Sequence, residues 1–273
     1  MPFFLFAVSQ SEQPDLLKLV LSFVIIHFLF YPASNGYNSY FDKDENSIGG
    51  LEIPPPVDKE LYFTSLFLDF VALVLGIFIG WEFVLMLLVI GLASKAYSHP
   101  WIRLKKLPFT GLFTVVFFQG AYTYLMSYMA INNSGFEVLL DNQVLFSSFL
   151  CSFLLFASYP MTQVYQHEED GRRGDLTVSR VLGIRGTFVW TTLVFVIGAI
   201  LFFIYFNIYY TLHIACLFFL FLLPTLFYFL YWFYKVVHNQ SAADYKNTMR
   251  LNLLSSLSFI GLFGYLLLMK YVN

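Results

Sequence analysis

The sequence predicts an all-α, polytopic membrane bundle: eight full transmembrane helices preceded by the stub of a ninth. Three observations carry that expectation. Of the 273 residues, 59% are hydrophobic and 12% charged, where a soluble domain carries roughly 25% charge. Mean hydropathy is +0.70. The apolar residues also gather into runs of the length that crosses a bilayer, about 20 residues of helix. The net charge of −2 gives no bulk attraction to nucleic acid, so no nucleic-acid partner is expected.

The elements follow in order. Met1 to Val8 is apolar but short. It has no basic region ahead of it and no small-residue cleavage site, so it does not resemble a signal peptide. It reads as the end of a transmembrane helix whose beginning is missing. Spans are then expected at 16–34, 61–80, 82–98, 109–131, 143–165, 186–206, 209–234 and 249–271. All should be helical, because backbone in lipid must satisfy its own hydrogen bonds. Pro224 falls inside the seventh span and should kink it. Cys151 and Cys216 lie in apolar runs without disulfide or zinc spacing and read as small core residues. The whole of 1–273 is expected to form one domain of an integral, multi-pass membrane protein, with the cell inner membrane as its expected location.

Orientation comes from the basic residues. Lys43, Lys59, Lys95, Arg103, Lys105, Lys106, Arg172, Arg173, Arg180, Arg185, Lys235, Lys246 and Arg250 fall on one side, leaving Lys18 and Lys270 for the other. The positive-inside rule makes the first side cytoplasmic.

Two acidic, glycine-containing segments lie on that side, each directly after an apolar run: Asn35 to Gly50 and Tyr165 to Gly183. Carboxylates this dense beside a membrane need a cation, a basic ligand or bulk water. Asn38 and Asp42 are four apart and share a face if the helix continues through them, with Asp44, Glu45 and Asn46 following. Gln166 and Asp170 repeat that spacing, with Glu168 and Glu169 between. These are oxygen donors without Cys, the set magnesium prefers, and magnesium takes one or two carboxylates and completes its shell with phosphate and water. Two such clusters on one face suit a diphosphate, whose remaining charge Arg103, Lys105, Lys106, Arg172 and Arg173 can meet. Either segment alone would read as an ordinary polar loop; the pair, four spans apart, hints at an internal duplication.

The layout resembles the UbiA superfamily of intramembrane prenyltransferases, which has nine helices and aspartate-rich motifs after the second and sixth. With the stub counted as the first helix, both motifs fall at those points. The family's Asn-Asp-x-x-Asp-x-x-x-Asp aligns with Asn38 and Asp42, with Ser39 and Asn46 in place of two aspartates and Asp44 added between. Its Asp-x-x-x-Asp aligns with Gln166 and Asp170, followed by Arg172, Gly174, Thr177, Leu182 and Gly183. Its Tyr-Ser and basic stretch aligns with Tyr97, Ser98, Arg103, Lys105 and Lys106. Three family aspartates thus stand as Ser39, Asn46 and Gln166, which marks a divergent member with weaker expected metal affinity.

The resemblance implies transfer of an isoprenyl group from an isoprenyl diphosphate to a small lipophilic or aromatic acceptor, as in quinone biosynthesis, with Mg2+ as cofactor and membrane lipid as surroundings. It implies that Asn38, Asp42, Asp44, Gln166, Glu169 and Asp170 bind metal, and that Arg103, Lys105, Lys106 and Arg172 bind diphosphate. Asp69, roughly 12 Å below the cytoplasmic end of its span, is the candidate to orient or deprotonate the acceptor, against a structural contact between helices. His27 reads first as a packed residue, Gln119 and Asn207 as polar glue, and Trp101 and Trp232 as interface anchors. Gly49, Gly50 and Pro54 to Pro56 make a stiff loop that either caps a cavity or simply connects. A transporter and a non-catalytic isoprenoid-binding relative are the rival readings.

Overall fold

The structure, a computed structural model, describes residues 1–43 and 46–272. Helix dominates throughout. Among the described residues the strand-like feature is one antiparallel bridge, Ile48 to Leu51, inside a turn. The stub is helix α1, Pro2–Gln10. Eight long helices follow it: α2 Leu16–Asp42, α3 Lys59–Gly76, α4 Trp81–Ser98, α5 Pro108–Asn132, α6 Asn142–Gln163, α8 Val178–Tyr209, α9 Leu212–His238 and α10 Tyr245–Val272. A short helix, α7 His167–Arg173, separates α6 from α8. Seven of the eight long helices are apolar enough by themselves to span a membrane. The exception, α3, holds Lys59, Glu60 and Asp69 within 18 residues. Its outward face nevertheless carries exposed Phe63, Phe67 and Phe70, as a lipid-facing helix should.

The stub is integral to the core. Phe4, Phe6, Ala7 and Val8 are buried, and Phe6 stacks on Phe263 of α10 at 4.4 Å between ring centres. Helix α1 thereby joins α10 to α5, while α5 packs on α6, α6 on α8, α8 on α9 and α9 on α10. Helices α2, α3 and α4 pack on one another beside α5.

Several helices depart from the simple spans expected. Helix α2 continues to Asp42, eight residues past the expected 34, because Gly36 lets it close on α3. A Cβ there would meet Ser65 Oγ at 2.5 Å and Leu61 Cδ1 at 3.1 Å. Helix α8 bends at Gly183, whose φ of 70° and ψ of 168° are outside the helical range. Helix α9 passes through Pro224 as a single element. Two π-helical turns interrupt α2 at Ile25–Phe30 and α5 at Val116–Tyr122. The second is held by Ser152 of α6, whose hydroxyl donates to the Val116 carbonyl at 2.8 Å and accepts from the Ala121 amide at 2.9 Å. Gly120 makes that approach possible, since a Cβ would lie 2.6 Å from Ser152 Cα. Trp232, expected at the interface, is instead fully buried, with its indole donating to the Ala242 carbonyl at 2.7 Å. Trp101 is 92% exposed. Cys151 and Cys216 are free; Cys151 is buried and Cys216 exposed.

Candidate active site

A cavity of about 1230 Å³ runs from the polar end of the bundle into its interior. The deep walls are aromatic and aliphatic: Phe30, Ile90, Phe118, Leu154, Phe195 and Phe259. Both π-helical turns contribute, through Phe30 on one and Phe118 and Gln119 on the other, as π turns often do at functional sites. Gln119, expected as polar glue between helices, is a cavity residue. The charged lining lies at the mouth, with Asp42, Lys105, Asp170, Arg173 and Asp175 among it. The loop of residues 46–58 also lines the mouth through Ile48, Leu51 and Pro54 to Pro56. An exposed ion pair joins Glu52 of this loop to Lys246 at 3.3 Å.

Each polar group is placed by a helix end or turn. Asn38 and Asp42 sit on the last two turns of α2, which stops at Lys43 in the left-handed region (φ 49°). Arg103 is also left-handed (φ 46°) and opens a 3-10 turn, Leu104–Lys106. That turn sends Lys105 inward, 9% exposed, and leaves Lys106 exposed. The Leu176 amide donates to the Lys106 carbonyl at 3.2 Å, joining this loop to the second motif. Gln166 caps α7, Asp170 lies one turn on, and left-handed Gly174 (φ 74°) directs Asp175 back into the mouth.

The ion pairs differ between the walls. Lys105 Nζ is paired with Asp42 Oδ2 and lies 3.0 Å from Asn38 Oδ1. Asn38 Oδ1 also accepts from Ser98 Oγ at 2.7 Å. Arg103 bridges the motifs, with Nε and Nη2 at 2.9 and 2.8 Å from the Asp175 carboxylate and Nη2 at 3.4 Å from Asp42. Burial of Arg103 in this cluster is outweighed by its bond to Asp175, which raises the guanidinium further. Among the described residues Asp170 has no ion-pair partner within 4.0 Å; the Thr177 hydroxyl lies 3.4 Å away. Burial, and next the Asp175 charge, push its carboxyl up to about 7. Burial, with Arg180 beside it, lowers His167 to about 4, and the neutral ring bonds Ser179 Oγ at 2.7 Å.

Of the expected metal ligands, Asn38, Asp42, Gln166 and Asp170 line the cavity. Asp44 lies outside the described residues. Glu169 is buried against Arg173 and is not among the lining residues. Of the expected diphosphate ligands, Lys105 lines the cavity, Arg103 stands behind Asp42 and Asp175, and Lys106 and Arg172 are exposed. Asp69 is paired with Lys95 between α3 and α4, and neither lines the cavity. His27 bonds the Phe23 carbonyl at 3.1 Å and packs among Phe4, Phe23 and Tyr31. Sequence reasoning missed Asp175, although an acid directly after Gly174 was a usable signal. It also missed Tyr159, whose hydroxyl bonds that of Tyr97 at the cavity wall.

The chain matches the model of the UbiA prenyltransferase family over residues 1–257. No curated protein sequence matches it. Among the solved structures that share the fold are these three. A UbiA homolog from Archaeoglobus fulgidus bound to GPP and Mg2+ is 17% identical, with a TM-score of 0.66 over 97% of this chain and 94% of that one. The same homolog bound to DMAPP and Mg2+ is 16% identical, with a TM-score of 0.63 over 97% and 93%. A structure of digeranylgeranylglyceryl phosphate synthase is 16% identical, with a TM-score of 0.62 over 97% and 92%.

Proposed function

The chain belongs to the UbiA prenyltransferase family, and from that premise we propose that it transfers an isoprenyl group from a prenyl diphosphate to an aromatic or other lipid-pathway acceptor inside the membrane. The observation that carries this reading is the joining, in one cavity, of a charged mouth to a long aromatic chamber. A prenyl diphosphate has that division itself: an anionic head and an apolar tail. The GPP- and DMAPP-bound homolog structures support the same class of substrate.

Magnesium fits the donors present. Among the described residues no group of three or more His, Cys, Asp or Glu is assembled to hold a metal. Magnesium does not need one, because phosphate and water supply most of its shell. Gln166 and Asp170 on one wall, and Asn38 and Asp42 on the other, are among the oxygen donors lining the cavity. The half-buried Asp170 carboxyl has no ion pair within 4.0 Å among the described residues, which leaves its oxygens open to a divalent ion. When bound, the ion supplies Lewis-acid stabilisation of the departing diphosphate.

The rest of the mechanism uses the chain's own groups. Lys105, and Arg173 at the mouth, receive diphosphate oxygens, while Arg103 holds Asp42 and Asp175 in place. The allylic carbon–oxygen bond breaks with both electrons leaving on the diphosphate. Fixed positive charge at the mouth stabilises the charge that develops there. The remaining allylic cation lies in the chamber lined by Phe30, Phe118 and Phe195, whose aromatic rings stabilise it and keep water out. The acceptor bonds to that carbon and releases a proton to solvent at the mouth. Asp69, committed to Lys95 outside the cavity, serves in this reading to position α3 and α4. The mouth faces the cytoplasm, where thirteen of the fifteen basic residues gather.

The test is diphosphate release by the purified protein in lipid nanodiscs, with geranyl, farnesyl, geranylgeranyl and longer prenyl diphosphates, a pool of aromatic acceptors, and magnesium or EDTA. Magnesium-dependent release that falls steeply in Asp170→Asn is expected. Absence of both release and prenyl diphosphate binding across that panel would replace this reading with the lipid-binding or transport one.

A further inference from the structure

The two motifs face one mouth but are not in the same electrostatic state. On the first wall, the metal-donor positions already hold a cation. Lys105 Nζ sits between Asn38 Oδ1 and Asp42 Oδ2, in a pocket where Lys105 is 9% exposed and the Asp42 side chain 6%. Arg103 adds a second positive charge on the same carboxylate. The lysine is fixed from behind as well. Gly111 of α5 brings its backbone so close that a Cβ would lie 3.1 Å from Lys105 Cα, and the next residue's carbonyl is bonded to Leu176. Of the family's other aspartates at this motif, two stand as Ser39 and Asn46, which add no charge to draw a dication, and the added Asp44 lies outside the described residues. On the second wall, Asp170 has no ion pair among the described residues, and Gln166 stands one helical turn before it.

We infer that this centre takes one divalent cation, at Asp170 and Gln166, and that Lys105 is a resident cation in place of a metal at the first motif. The inference rests on the prenyl diphosphate reading of the cavity and goes beyond it by assigning the number and position of the metals. An ammonium suits the task. It is a compact charge with three donors; two point to Asn38 and Asp42, which leaves one for a diphosphate oxygen. Unlike a metal, it cannot be removed by chelation, so part of the diphosphate clamp is permanent.

The test counts metals rather than turnover. Mn2+ is titrated into the full-length protein in nanodiscs, saturated with a non-cleavable farnesyl thiodiphosphate, and free Mn2+ is read by electron paramagnetic resonance. Binding of the radiolabelled analogue is measured in parallel with EDTA. One Mn2+ per chain is expected, with analogue binding weakened but still measurable in EDTA. Asp42→Asn is expected to keep the single Mn2+, and Asp170→Asn to weaken its binding at least tenfold. Two Mn2+ per wild-type chain would overturn the inference while leaving the proposed function intact. So would loss of the metal in an Asp42→Asn protein that still binds the analogue. The wild-type count decides the matter if either variant fails to fold. No Mn2+ together with no analogue binding would refute the proposed function itself.

Discussion

The two ends of the bundle carry polar groups to opposite purposes. At the end away from the motifs, Lys18 donates to the Ile79 carbonyl at 2.6 Å and to the Asn133 side chain, and Lys270 donates to the Ser11 carbonyl. Ser11 Oγ bonds Asn132 at 2.7 Å, and the Asp15 amide bonds the Ile131 carbonyl at 2.8 Å. These groups close on one another and on exposed helix ends, where unsatisfied carbonyls need partners. At the mouth the polar groups meet across a cavity and keep unused capacity: Asp170 without an ion pair, Lys105 with a spare donor. Charge near a membrane face is thus structural where its partners are backbone and complete. It is chemical where the partner set stays open toward a cavity.

That contrast can be broken by substitution. The largest effect is expected from Asp170→Asn, which should slow diphosphate release about 10²- to 10³-fold, as removal of one transition-state stabiliser does, with the thermal midpoint in nanodiscs little changed. Lys105→Met should cost about 10²-fold in the same assay and lower prenyl diphosphate affinity in EDTA; unchanged affinity would remove Lys105 from the site. Gly120→Ala addresses the scaffold behind the cavity. With the Ser152 backbone 2.6 Å from the new methyl group, a stability loss of about 1–3 kcal/mol is expected, read as a lowered unfolding midpoint. Asp69→Asn should lower the same midpoint by leaving Lys95 unpaired, yet release should stay close to wild type. A hundredfold loss of release there would return Asp69 to the chemistry. The smallest effect belongs to the far end: Lys18→Met should cost about 1 kcal/mol and leave release untouched.

The spans were legible in the sequence because apolar length reports directly on the bilayer. The pairing of Asn38 with Asp42 was legible because helical periodicity puts them on one face. The continuation of α2 to Asp42 was not. Asn35 to Asp42 is polar enough to read as a loop, and its helix is secured by tertiary contacts, with Gly36 against α3 and Tyr37 buried. Lys105 and Lys106 are equivalent in sequence, and only the left-handed Arg103 and the 3-10 turn after it decide which faces inward. The Asp69–Lys95 pair depends on the register of α3 against α4, 26 residues apart in the chain, and no local pattern encodes that. Asp175 was passed over because a lone acid in a basic loop has no periodic partner; Arg103, 72 residues earlier, supplies one in space.

The π turn in α2 has a consequence for how this chain tolerates change in length. In a regular helix each residue advances the face by about 100°, so losing one turns everything beyond it. A π turn, closed by i→i+5 bonds, takes up one extra residue and returns the helix to its former phase. Ile25–Phe30 is such a reserve, placed ahead of Asn38 and Asp42. Deleting one residue there should relax the turn to α-helix with the motif still aimed at the mouth. The same deletion between Tyr31 and Asn38 would swing both donors away.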